Sequence, residues 1–192
     1  RWSEDLRDEL GLNAYEVRKT VGIFNVMFDS MGIAEEAAYN MAKGLTQLSY
    51  DMASFYNLRP EEAFQKLQSG ISGEIEPLRR LGITVDETTV KNYALEQGLI
   101  RQGQEMTQAQ KVMARYMVIL KQTGQAQGDI ARTLDSPVNK MRIFKERINE
   151  LMIDMGTRLM PVVIDTLDRG KAFIDVFSNM SDSAKDTTIK VA

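Results

Sequence analysis

The chain has 192 residues, a formal net charge of −3, and 43% hydrophobic against 27% charged residues. This composition is typical of one folded domain or of two small helical modules, and the mild charge with scattered Lys and Arg residues speaks against nucleic acid binding. The absence of cysteine and histidine excludes disulfides, thiolate metal sites and every Ser-His or Cys-His catalytic arrangement.

Residues 1–70 are predicted to form an N-terminal helical hairpin region. The chain opens on Arg1 without an initiating methionine or a signal peptide, so we expect an internal fragment of a longer protein. Asn13 can cap a first helix that ends at Gly32, a second helix starts from about Ala34, and Pro60 suits the first turn of a third. The second helix alternates three and four residues between apolar positions, which predicts a narrow seam against another helix. The apolar positions are Val17, Val21, Phe24 and Phe28 in the first helix and Ala38, Met41, Leu45, Leu48, Met52 and Phe55 in the second.

Residues 71–106 form a middle region of loop and short helix. Glycine and proline punctuate its start too closely for a long helix, so residues 70–86 are predicted to be a structured loop with one or two helical turns. Gly82 suits a left-handed conformation at the end of those turns. Asp86 then caps a short helix that ends at Gly98. The punctuating residues are Gly70, Gly73, Pro77 and Gly82.

Residues 107–192 form the C-terminal long-helix region. Thr107 with Gln110 three residues later matches a capping box, which opens a helix that ends near Gly124. Ser136 followed by Pro137 then supplies a cap and a first-turn proline for a helix of about 40 residues. Its apolar residues again alternate three and four apart and define what we call the helix-association seam: Met141, Phe144, Ile148, Leu151 and Met155.

The predicted long helix has three consequences. A helix of about 40 residues is about 60 Å long, so we expect it to project beyond a compact domain of this size. The helix-association seam cannot be buried by one helix alone, which favours self-association into a homo-oligomer. Pro161 should kink the helix, and it interrupts an apolar run, residues 159–164, that is far shorter than the roughly 20 residues needed to span a membrane.

Seven short segments resemble the region of phage tail tape measure proteins that precedes their hydrophobic segments. The resemblance covers roughly residues 32–161 and keeps the order of the segments in that family. One departure is Pro137, two residues before Asn139, where the family pattern has a small helix-compatible residue. The segments are YDMASF (50–55), LQSGISGE (67–74), EPLRRLGI (76–83), ARYMVIL (114–120), GDIART (128–133), NKMR (139–142) and GTRLMP (156–161).

The resemblance implies a non-catalytic, all-α piece of a scaffold that lies inside the tail tube and sets tail length. It implies the virion tail lumen as the final location and the host cytoplasm during assembly. The implied partners are further copies of the chain, the tail tube, tail-tip proteins and tail-assembly chaperones. No cofactor, no metal, no specific nucleic acid binding and no membrane contact by this segment are expected.

The residues singled out are structural or partner-docking candidates rather than catalytic ones. The glycine-rich stretch lacks the Gly-Lys-Ser/Thr ending of a phosphate-binding loop, and the nearby carboxylates lack calcium-loop spacing. The charged candidates are expected to pair internally and hold the loop after Gly124 against neighbouring helices. The candidates are Gly70, Gly73, Glu74, Pro77, Leu78, Gly82, Ile83, Arg115, Asp129, Arg132, Asn139 and Arg142.

Three functions are weighed against one another. The first is a tape measure module that acts through helix association. The second is a helical docking module that binds tail-tip or chaperone proteins through residues 70–83. The third, an enzyme such as a peptidoglycan hydrolase, is set aside because the chain offers neither histidine nor cysteine nor a convincing pair of carboxylates.

Overall fold

The chain is all-helical, as predicted, with no strand among the residues that the structure describes. The computed structural model describes residues 2–178, without the side chains of residues 162, 163, 166, 167, 170 and 172–178. The helices in this range are α1 (Trp2–Leu10), α2 (Ala14–Ser30), α3 (Glu35–Phe55), α4 (Pro60–Ser72), α5 (Glu76–Arg79), α6 (Glu87–Glu96), α7 (Gln108–Gln122), α8 (Asp129–Arg132) and α9 (Pro137–Ser178).

Most of the predicted helix starts are confirmed, because each depends on a cap formed by neighbouring residues. The Asn13 side chain accepts hydrogen bonds from the backbone N–H groups of Tyr15 and Glu16 at the start of α2. Pro60 opens α4, and Asp86 accepts from Thr89 N at the start of α6. Thr107 forms the expected reciprocal capping box at the start of α7.

The chain divides into two compact units, residues 1–147 and residues 148–192. In the first unit, α3 packs against α2, α4 and α8, while α7 packs against α4 and α6. A large apolar cluster joins α2, α3, α4, α6 and α7, and its fully buried members include Phe24, Leu45 and Met52. A second cluster links α1 to α2 and α8 through Leu6, Leu10, Val17 and Ile130. The second unit is described through residues 148–178, which continue α9.

Three expectations about the helices are corrected by the structure. Helix α1 is not predicted from the sequence, because its apolar side chains Leu6 and Leu10 are too few to give a clear period. They are buried only by tertiary packing. Helix α3 does not carry a narrow seam: it is buried on several sides, including at Thr46, because three helices surround it. Gly70 lies inside α4 rather than in a loop, and the helix ends three residues later at Gly73.

Glycine is required at position 70 of α4 because Leu78 occupies the space that a side chain there would fill. A Cβ atom at this position would lie 2.1 Å from Leu78 Cδ1 and 3.0 Å from Leu78 Cγ. Leu78, in α5, is completely buried. The glycine therefore lets α5 fold back directly onto the last turns of α4.

The predicted length of the last helix is confirmed, since α9 runs for 42 residues and contains Pro161 in its interior. At about 1.5 Å per residue it is about 63 Å long. Its projection, and a bend at the proline, stay predictions.

Gly70→Ala should lower the free energy of unfolding by about 1–3 kcal/mol, because the added methyl group overpacks a buried contact with Leu78. Gly22→Ala is the matched control, since Gly22 lies in α2 with nothing within 4 Å of its Cβ position. The control should gain about 0.5–1 kcal/mol from helix propensity. Urea denaturation of both variants measures the difference, and equal gains in both would contradict the close packing.

Candidate functional site

The segment that resembles the family motif around Gly70 and Gly82 is largely built into the core. Leu78 and Ile83 are buried, and Gly70 is buried against Leu78. Pro77 opens the short helix α5, while Glu74 and Gly82 are exposed. Gly82 has a φ of +79°, as expected for a left-handed end to the helical turn. The exposed side of the segment is therefore polar apart from one residue, Ile75, whose side chain is 37% exposed.

Gly73 and Arg115 are separate candidates in the sequence, and the structure brings them together. Gly73 ends α4 with a φ of +107°. The guanidinium of Arg115, from α7, lies against it, and a Cβ at Gly73 would be 2.7 Å from Arg115 Nη2. Arg115 Nη1 also donates a hydrogen bond to the Ile71 carbonyl at 3.1 Å. Arg115 thus binds a free carbonyl at the C-terminal end of α4, where a cation is favoured by the helix dipole.

The loop between α7 and α8 is held against α3 by a buried carboxylate that sequence reasoning did not single out. Asp51, only 3% exposed, accepts hydrogen bonds from Gly128 N at 2.9 Å and from Ile130 N at 3.2 Å. Burial raises the pKa of Asp51, and the two N–H donors lower it by less. The signal available in the sequence was a charged residue inside an apolar stretch of α3, within the motif YDMASF.

Asp129 and Arg132 close the same loop on itself. The Arg132 guanidinium donates to the carbonyls of Gln127 at 2.7 Å and Gln125 at 2.9 Å, and it lies 3.4 Å from Asp129 Oδ1. Gly128, with a φ of +73°, permits the turn. These contacts agree with the expectation that the two charged residues pair internally, but it is Asp51 that ties the loop to a neighbouring helix.

Asn139 and Arg142 connect the first turns of α9 to the C-terminal end of α3. Asn139 Nδ2 donates to Thr133 Oγ1 at 2.7 Å and to Ser54 Oγ at 3.2 Å. Arg142 Nη2 donates to the carbonyls of Leu58 at 3.2 Å and Ala53 at 3.4 Å. The two candidates therefore act on the same junction, which no spacing rule in the sequence indicated.

The residues of the helix-association seam, which lie on α9, are all exposed. In the first unit, Met141 and Phe144 are 56% and 61% exposed. In the second unit, Ile148, Leu151 and Met155 are 43% to 54% exposed. Among the described residues, packing within each unit therefore leaves the seam exposed.

No group of three or more carboxylates in the part of the chain that the structure describes is placed to hold a metal ion. None of the helices described combines the length and apolar character that crossing a bilayer requires. Comparisons of the chain with protein-family models, with curated proteins and with solved structures gave no match. The structural features themselves therefore carry the argument about function.

Asp51→Asn should lower the free energy of unfolding by about 1–3 kcal/mol, because the amide can replace only one of the two acceptors and leaves a buried N–H unpaired. Asp29→Asn is the control, since it makes the same change at an exposed position of α2 and should shift stability by less than about 0.5 kcal/mol. Urea denaturation with amide exchange at Gly128 and Ile130 gives the measurement. Unchanged protection of these two amides would contradict the clamp.

Proposed function

We propose that the chain is a structural piece of a phage tail tape measure protein, a scaffold inside the tail tube that sets tail length. The observation that carries the proposal is the exposed apolar surface of the long helix α9. Such a helix converts residue number into length at about 1.5 Å per residue and needs no catalytic group to do so. The seven segments that resemble this family supply the biological setting.

Helix association is the physical action that the proposal assigns to α9. In the second unit the exposed apolar side chains lie on two sides of the helix, with Ile148, Leu151 and Met155 along one and Ile153 and Ile164 along another. The charged residues between them pair within the helix, as Arg158 does with Asp154 at 3.0 Å. Charged side chains that pair along their own helix can remain in water, whereas an apolar surface this wide is stabilised by packing against other helices.

The proposed partners follow from this action. Further copies of the chain are the first partners, and the tail tube, tail-tip proteins and assembly chaperones are others. The proposed locations are the lumen of the virion tail and, during assembly, the host cytoplasm. In this proposal the chain is not an enzyme.

The alternative is a helical docking module that binds tail-tip or chaperone proteins through residues 70–83. The exposed Ile75 beside Glu74 and Arg79 favours it, since an apolar side chain among charged ones is a common feature of binding surfaces. The buried positions of Leu78 and Ile83 limit this surface to a few residues.

Leu151→Glu should weaken self-association of the chain, because it places a charge on the apolar side of α9. Arg158→Gln is the control, since it makes the same change in net charge on the charged side of the same helix, where Arg158 pairs with Asp154. Sedimentation equilibrium of wild type and both variants should give a lower mass for Leu151→Glu alone. Equal masses for all three would contradict association through this side of α9.

Tail length tests the proposed function directly. In-frame deletions in a helical stretch of the parent gene, outside the present 192 residues, should shorten tails by about 1.5 Å per residue removed. Electron microscopy of virions measures the length, and point substitutions at the same sites serve as the control. Tails of unchanged length would contradict the proposed role in setting tail length and would favour the docking module.

A further inference from the structure

The start of α9 is attached to the rest of the first unit almost entirely through polar groups. Neither apolar cluster of the described residues includes a side chain from α9. One apolar contact is present, where Ile143 lies so close to Gly11 that a Cβ there would be 2.6 Å from Ile143 Cγ2. We call the attachment of residues 137–147 to this unit the α9 dock. An attachment that buries little apolar surface is of low stability and can open locally.

Water can replace the hydrogen bonds of the α9 dock when the start of α9 detaches. Arg142 binds the carbonyls of Ala53 and Leu58, and Asn139 binds Ser54 and Thr133. Because water can satisfy each of these groups once the helix leaves, each bond contributes only part of its strength to the attachment. Arg142 Nη1 is buried without a hydrogen-bond partner, so its desolvation opposes the attachment further.

Three carboxylates from three helices converge at the same place. Glu16 of α2, Glu61 of α4 and Glu146 of α9 line one cavity of about 200 Å³, with Tyr50 of α3 in its wall. Lys19, which also lines the cavity, binds Glu16 at 3.2 Å, so it offsets the charge of that carboxylate. Arg59, Arg142 and Lys145 line a second cavity together with Glu61 and Glu146, so cations also face this junction. Closing the dock therefore brings the carboxylate of Glu146 towards two others while taking it partly out of water.

The charges around Glu146 decide which protonation state the closed dock favours. Burial raises the pKa of Glu146, and Glu61 and Glu16 raise it further. The side chain of Asn13 and the charge of Arg142 lower it by less. Asn13 is 2% exposed, and its Nδ2 is a buried donor without a hydrogen-bond partner.

We propose that the α9 dock is a pH-responsive latch, which closes when Glu146 takes up a proton and loosens when it loses one. The sign follows from the convergence of carboxylates, since the closed state disfavours a third negative charge. The contribution of Glu146 to closure is complete below the pKa it has when exposed, and it is lost as the pH rises through the higher pKa it has when closed. The latch would control the attachment of α9 independently of the proposed role in tails.

Amide hydrogen exchange on the full chain tests the latch. After correction for intrinsic rates, protection of amides 140–147 in the wild type should fall by about three- to tenfold between about pH 5 and about pH 8. Glu146→Gln should remove most of this pH dependence and raise protection at about pH 8. Glu62→Gln is the matched control, because it makes the same change one residue from Glu61. Glu62 lies outside the cavity and pairs with Lys66 at 3.4 Å.

Each outcome decides for or against the latch. Higher protection in Glu146→Gln with wild-type behaviour in Glu62→Gln supports it, and Glu61→Gln should show the same effect more weakly. Lower protection in Glu146→Gln at both pH values would make Glu146 a simple docking contact and overturn the proposal. Equal changes in Glu62→Gln would also overturn it, since they would reflect total charge. Amides 45–52 of α3 report global unfolding. Their protection should not differ between Glu146→Gln and Glu62→Gln.

Discussion

The buried carboxylate of Asp51 is the interaction on which the path of the C-terminal half depends. A negative charge in the middle of the most buried helix must be satisfied, and the donors that bind it among the described residues are the backbone N–H groups of Gly128 and Ile130. These bonds require the chain after α7 to turn back across α3. The turn places Thr133 beside Ser54, where Asn139 binds both. One unavoidable electrostatic requirement thus sets where α9 begins.

The sequence predicted features that depend on a few neighbouring residues, and it missed those that depend on distant ones. The caps at Asn13 and Thr107 and the start of α9 at Pro137 were predictable because their partners lie within three residues. The burial of α3 on several sides and the contact between Gly70 and Leu78 were not, since each is created by packing between separate helices. Asp51 was visible only as a charge in an apolar stretch, with nothing in the spacing to name its donors.

The two halves of the candidate site differ in the kind of force that holds them. Around Gly70 and Leu78 the contacts are apolar and tightly packed, which makes this part rigid. Around Asn139 and Arg142 they are hydrogen bonds to loop and helix-end carbonyls, which are directional and easily exchanged for water. A long helix with an exposed apolar side is thus attached at its start mainly through hydrogen bonds. That arrangement suits an element whose main packing partners lie outside one copy of the chain.

The close contact at Gly70 also determines where the chain tolerates added sequence. Because Leu78 occupies the space of a missing side chain eight residues earlier, the connection between α4 and α5 has one workable length, and an inserted residue would pull Leu78 out of register. Residues 101–105, in the loop after α6, are all exposed, and nothing lies within 4 Å of the Cβ position of Gly103. An epitope tag or a fluorescent label therefore belongs in that loop.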